Sequence, residues 1–418
     1  MILGMDVLNN WINVFGFIMK RNKSEMSIFL QSWNLLSQPN TLKSFFSGFL
    51  PRRFELFCFK AFSIFLLLSA LCSCNHSKKG VPVLFRDGVA PFAEVVNKVE
   101  FIPLETDSVH ILGENPELWV EDSCFIVSDW QNASIFRYSL QGKFLNTIGR
   151  KGNGPDEFSG IDGWSYEDGL LTVFSYPDKV LNFSLSGELL SRRKISNLGM
   201  SSYMVGKDVL TYMGYGTGLN YRAALLDSSS LKKKLIEDTK NNNVFNFTPL
   251  SPVITKSKDV FILDPFNPVV YKYDAEELSP YILFDLGRFE VKERYYSFKN
   301  PMEAAEYLFS RDYAYINRYA EGSDVKFVEY ILTQDGEGKP YHGLYYKGEW
   351  RWFSLGGFYD SIGRAFRTIS CDDVLYFLVA PECLREIPEE LSGTIVNKTC
   401  LGGLSDDNNY VVMKVFIK

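Results

Sequence analysis

The sequence predicts an all-β fold, a six-bladed β-propeller of four-stranded antiparallel blades with one short helical insertion. Three observations carry this. Strand-like stretches alternate with polar turns along the body of the chain. Matching stretches recur about every 45 residues, a period typical of propeller blades. An apolar strand ends the chain, where it can complete a blade begun near the start of the ring.

The repeat is visible in Asp129–Leu145, Tyr176–Leu190 and Asp264–Ala275. Each reads as strand, polar turn and alternating strand, followed by another turn. The matching aromatics are Tyr138, Phe183 and Tyr273, spaced by 45 and 90 residues. Ala223–Asp227 falls near the missing position. Tyr345 comes 72 residues after Tyr273, which exceeds one period. The excess is assigned to a helix running from Pro301 through Tyr319, where Pro suits the first helical position and Ala and Glu crowd the first turn. A lone blade cannot bury both faces, so blades stack radially. Tyr410–Ile417 is read as the closing strand.

The N-terminus reads as an address. Pro51-Arg52-Arg53 precedes an apolar run, and Leu71-Cys72-Ser73-Cys74 follows it. The uncharged core Ala61–Leu71 is short for a membrane span and suits a secretory signal. Leu71-Cys72-Ser73-Cys74 resembles the bacterial lipobox, which implies that Cys74 is acylated. Cys72 fits less well, because Leu71 would occupy the position that must be small. An uncleaved membrane anchor is the alternative, and both readings put the body outside the cytoplasm. The expected division is 1–73 as N-terminal extension and signal peptide, 74–92 as tether, and 93–418 as propeller with the helical insertion near 300–320.

Composition narrows the function. The 418 residues are 46% hydrophobic and 15% aromatic, with net charge -6. No basic face stands out, so no nucleic-acid partner is expected. Only His76, His110 and His342 occur, which argues against most zinc sites and imidazole-dependent catalysis. No catalytic residue, metal or cofactor is assigned. Cys124 reads as a small core residue. One disulfide among Cys371, Cys383 and Cys400 is open, since an oxidising compartment permits it.

Phe101–Thr106, Ile126–Asp129, Phe136–Phe144 and Ile148–Phe158 follow an order that resembles the six-bladed propeller lipoproteins of Bacteroidetes-type bacteria, related to NHL-repeat and TolB-like propellers. The resemblance implies a propeller and export to the cell envelope, without a known reaction. The tether lacks an acidic surface-export cluster, which favours an outer-membrane lipoprotein on the periplasmic side.

Candidate ligand contacts are Asp129, Asp156, Glu157, Asp162 and Trp164. The carboxylates supply oxygens for a cation or a sugar, and Trp164 a face for stacking. The plainer reading of Gly152–Phe158 is an interblade loop in which Pro155 sets the turn and Phe158 plugs between blades. The expected function is a lipid-anchored binding or scaffold module for a glycan, peptide or envelope protein. The alternative is a lyase or hydrolase acting in the funnel.

Overall fold

The computed structural model describes residues 80–418, apart from 86–91, 238–252, 354–365, 370–372, 388–391 and some stretches of one or two residues. Cys74 and the signal segment lie outside the described residues, as does Cys371.

Six sheets form the ring. Two strands precede the first complete blade: β1 (Val81–Pro82) and β2 (Val96–Pro103). Blade 1 holds β3 (Glu117–Val120), β4 (Cys124–Asp129), β5 (Ser134–Ser139) and β6 (Phe144–Thr147). Blade 2 holds β7 (Gly163–Glu167), β8 (Leu170–Ser175), β9 (Lys179–Ser184) and β10 (Leu189–Lys194). Blade 3 holds β11 (Ser201–Val205), β12 (Asp208–Tyr212), β13 (Tyr221–Leu226) and β14 (Leu231–Glu237). Blade 4 holds β15 (Ile254–Lys256), β16 (Val260–Asp264), β17 (Asn267–Asp274) and β18 (Glu277–Asp285). Blade 5 holds β19 (Tyr313–Glu321), β20 (Lys326–Gln334), β21 (Glu337–Tyr346) and β22 (Glu349–Phe353). Blade 6 runs β23 (Phe366–Ile369), β24 (Val374–Val379) and β25 (Val411–Ile417), with β2 as its outermost strand.

First strands pack together around the axis, as β3 does with β23 and β7 with β11. The antiparallel order puts each turn between second and third strands on one face, called here the upper face. The connections between blades lie on that same face. Tyr138, Phe183, Tyr273 and Tyr345 all fall on third strands, so the 45-residue period marks one blade.

The apolar seams lie between blades. Trp119 and Ile126 of blade 1 pack with Trp164, Leu171 and Val173 of blade 2. Val95, Phe101 and Val415 of blade 6 pack with Phe327, Leu344 and Phe353 of blade 5. Each fully buried side chain of this size contributes roughly 1.5–3 kcal/mol, so ring closure and stability are one problem. Closure comes from β2 on β25, paired from Val96–Ile417 to Pro103–Val411 with one register shift between Val96 and Lys98. Ile395 bridges Val99, and Asn397 exchanges hydrogen bonds with the Phe101 backbone, donating to its carbonyl at 2.6 Å and accepting from its N–H at 2.9 Å. This covers an edge that would otherwise offer unpaired backbone. Cys124 is buried with a free thiol, and Cys400 is a free thiol as well.

Gly142 turns the chain between β5 and β6 with φ of +81°, directly against the closing strand. A β-carbon there would come within 2.1 Å of the Pro103 carbonyl oxygen. Gly142→Ala combines a left-handed backbone penalty with this clash. It is expected to lower stability by about 1–3 kcal/mol, read as a lower urea midpoint. An unchanged midpoint would show that the seam yields without cost.

Two expectations need correction. The helix, α1, spans Pro301–Phe309 and does not run to Tyr319. Tyr313–Glu321 is the innermost strand of blade 5, with its first eight residues buried. Burial on both faces removes the alternation that marks a strand, so the run mimics a helix. Part of the segment expected as tether also packs on the propeller. Val81 and Pro82 pair in parallel with Phe284 and Asp285 at the outer edge of blade 4. Phe85 then packs edge-on against Phe289, Tyr330 and Tyr341.

Candidate functional site

An opening lies on the upper face between blades 3 and 4. It is built on a buried carboxylate. Asp264 ends β16 and is fully buried. Its Oδ1 accepts hydrogen bonds from the hydroxyls of Tyr212 (2.9 Å) and Tyr215 (2.6 Å), both from blade 3. Its Oδ2 accepts from Arg222 Nη2 at 2.7 Å, and that guanidinium stacks over the Tyr215 ring. Charge-assisted bonds of this length are strong, and they fix the guanidinium plane. Burial pushes both tyrosine hydroxyls well above their usual pKa, and the neighbouring Asp264 charge adds to it. Burial alone would lower the Arg222 pKa, but Asp264 overturns that and holds it above its ordinary value. Arg222 is therefore charged and Asp264 balances it.

Above this base is a cavity of about 290 Å³. Tyr215, Phe266 and Tyr296 supply aromatic walls. Glu237, Glu290, Lys292 and Glu293 supply charged groups, and Asn267 an amide. The roof, Glu290–Tyr296, belongs to the connection from blade 4 to blade 5. Helix α1 holds it in place. Asn300 caps the helix by accepting from Met302 N–H at 2.9 Å, with Pro301 at the first position. Ala304 and Leu308 are buried with Tyr215, Phe266, Val291 and Tyr295. The insertion thus builds one side of the cavity. Its walls have donors, acceptors and ring faces, the combination that orients a small polar ligand.

A second polar cluster is sealed inside blade 5. Glu329 on β20 accepts from Asn317 Nδ2 (2.6 Å) and from His342 Nε2 (2.9 Å), and pairs with Arg318 Nε at 3.3 Å. The β19–β20 register shifts between Ile316 and Arg318. Such a bulge re-aims side chains, and both Asn317 and Arg318 reach the one carboxylate. All four residues are buried, so this cluster serves the fold.

The five residues singled out in the sequence sit at blades 1 and 2. Asp129 is buried and closes its own turn, accepting from Gln131 and Asn132 N–H (both 3.0 Å) and from Gly113 N–H (2.7 Å). Asp156 pairs with Arg192 at 2.6 Å on the surface. Glu157 accepts from Gly154 N–H, and Lys179 clips the same loop through the Gly154 and Glu157 carbonyls. Phe158 is buried against Phe183, as an interblade plug should be. Asp162 donates its N–H to the Phe174 carbonyl. Trp164 is buried, and its Nε1 donates to Glu117 at 2.7 Å. All five are engaged in contacts that hold the fold, and none lines the cavity between blades 3 and 4. One sequence signal was available: the second strands of two repeats both end in Asp, at Asp129 and Asp264.

Among the described residues, no group of three or more His, Cys, Asp and Glu is placed to hold a metal ion. No helix among them is long and apolar enough to cross a membrane.

A family model described as a domain of unknown function, DUF4934, matches residues 87–416. The chain belongs to the DUF4934 family. Two solved structures resemble this DUF4934 protein. A Bacteroides fragilis protein described as exported is 19% identical, with 81% of this chain and 99% of that one covered and a TM-score of 0.64. A member of the DUF4221 family from Bacteroides vulgatus is 11% identical, with 78% and 97% covered and a TM-score of 0.50. At these identities the likeness speaks for the fold. No curated protein matches.

Proposed function

We propose that this DUF4934 protein is an exported propeller, anchored through an acylated Cys74, that binds a sugar unit of an envelope glycan in the cavity between blades 3 and 4. The observation that carries the reading is the cavity's make-up: aromatic walls beside carboxylates and an amide. A polyhydroxyl ligand uses both kinds of wall. Its ring carbons pack on aromatic faces, and its hydroxyls both donate and accept. The Arg222 charge is already balanced by Asp264, so an anion gains little from it. The lipobox and the resemblance to NHL- and TolB-like lipoproteins support anchoring at the outer membrane, on the periplasmic side. The Bacteroides fragilis neighbour, described as exported, accords with this. Of the five residues at blades 1 and 2, Asp156, Glu157 and Asp162 keep surface and are retained as a secondary contact region, whereas Asp129 and Trp164 are buried.

Titration calorimetry with fragments of envelope glycans tests the reading. Glu290→Gln with Glu293→Gln is expected to weaken binding about tenfold or more, since hydrogen bonds to charged groups are worth roughly 1.5–3 kcal/mol each. Both side chains are exposed, so the melting temperature should hold. Fragments that bind the double variant as tightly as wild type would place the site elsewhere. Following the same mixtures for released product separates the binding module from a lyase or hydrolase.

A further inference from the structure

The start of the ring fixes where an anchor can pull. Gly80 lies flush against β18, where a β-carbon would come within 3.0 Å of the Leu283 carbonyl oxygen and the Asp285 nitrogen. Val81 and Pro82 continue this contact, and Val83 N–H donates to the Asp285 carbonyl at 3.1 Å. The chain therefore joins the propeller at the outer edge of blade 4, near the upper end of β18. Six residues of covalent chain from Cys74 to Gly80 reach at most ~20 Å.

Exposed apolar side chains stand on β18 and on the upper-face connection that leaves it. Tyr281 and Leu283 stand on β18 at 40% and 38% exposure. Met302 and Phe309 on α1, in the connection that follows, are exposed at 63% and 54%. Lys78 and Lys79 precede Gly80 in the sequence, and lysines beside an acyl anchor are drawn to anionic lipid. Tyrosine and apolar side chains suit the headgroup boundary.

We propose that the blade 4 sector, made of β18 and α1, is the surface that faces the lipid bilayer. This rests on the reading of Cys74 as the acylated residue. One acyl-bearing cysteine alone would let the propeller tumble on its tether, whereas a short tether with an apolar rim beside it holds one side down. The cavity roof leaves β18 directly, so the proposed glycan site is carried on the membrane-facing side. Its ligand is then one attached to, or lying at, that bilayer.

The test uses acylated protein purified from membranes, with the acyl mass verified on the intact protein. Met302 or Leu145 is replaced, one at a time, by a fluorescent amino acid. Leu145 is exposed on β6 of blade 1, across the ring from blade 4. Phe309 and Leu190 form a second such pair. The protein is placed on phosphatidylethanolamine–phosphatidylglycerol vesicles carrying a headgroup quencher. Several-fold stronger quenching at 302 and 309 than at 145 and 190 is expected. Equal quenching, or more at 145 and 190, would overturn the orientation and leave the anchor standing. Absence of the acyl mass would remove the anchor, and the orientation with it.

Discussion

Asp264→Ala is expected to destabilise the protein by about 3–5 kcal/mol, because removing one partner of a buried ion pair leaves the other charge uncompensated. The group that loses its carboxylate is Arg222, whose side chain is only 11% exposed. The hydroxyls of Tyr212 and Tyr215 lose their acceptor in the same step. Since these groups join blade 3 to blade 4, the loss falls on a seam of the ring. Urea unfolding reads it as a lower midpoint with the slope unchanged. Asp264→Asn keeps an acceptor and should fall between. Replacing the pair together, Asp264→Leu with Arg222→Met, should recover much of the loss, since apolar replacements of buried ion pairs are often close to neutral. A value for Asp264→Ala within about 1 kcal/mol of wild type would contradict this account, being no more than an exposed pair contributes.

Glu329→Gln is the second large effect, again about 3–5 kcal/mol at neutral pH, because the buried Arg318 then loses the carboxylate it pairs with. The loss should depend on pH. Burial pushes the Glu329 carboxyl up, but Arg318, His342 and Asn317 outweigh it and hold the pKa below 4.5. A carboxylate with a depressed folded pKa contributes stability in full above its unfolded value. That contribution disappears as pH falls through the folded value. Wild type and Glu329→Gln should therefore differ most at neutral pH and converge in acid below about 4.5. Unfolding curves across this range decide it, and a gap that stays constant with pH would refute a role for the Glu329 charge.

The blades were legible because each is a local pattern. Tyr138, Phe183 and Tyr273 mark third strands, and Tyr410–Ile417 reads as a closing strand without knowledge of its partner. The site was not legible, because its groups come from different blades. Asp264 lies 52 residues from Tyr212 and 42 from Arg222, and no local spacing records that they meet. Asp129 and Asp264 occupy like positions in their blades but act differently. Asp129 is followed by Trp130, Gln131 and Asn132, whose backbone can turn back to it. Asp264 finds its partners in the preceding blade, blade 3. The length of α1 was misread for a related reason. Its markers, Pro301 and the Ala and Glu of the first turn, say where it starts and nothing of where it stops.

The pairing of β2 with β25 also sets a timetable. These strands lie roughly 320 residues apart, and contacts so distant in sequence form late and slowly. A chain crossing a membrane from its N-terminus would deliver β2 first and β25 last. For most of that passage blade 6 lacks its middle, and β2 is a lone strand with exposed edges. Loss of even the last strand, the seven residues Val411–Ile417, would leave an open arc in place of a ring, with the seams facing blades 5 and 1 bared to proteases. A C-terminal nick is therefore the cut to which this architecture is most vulnerable.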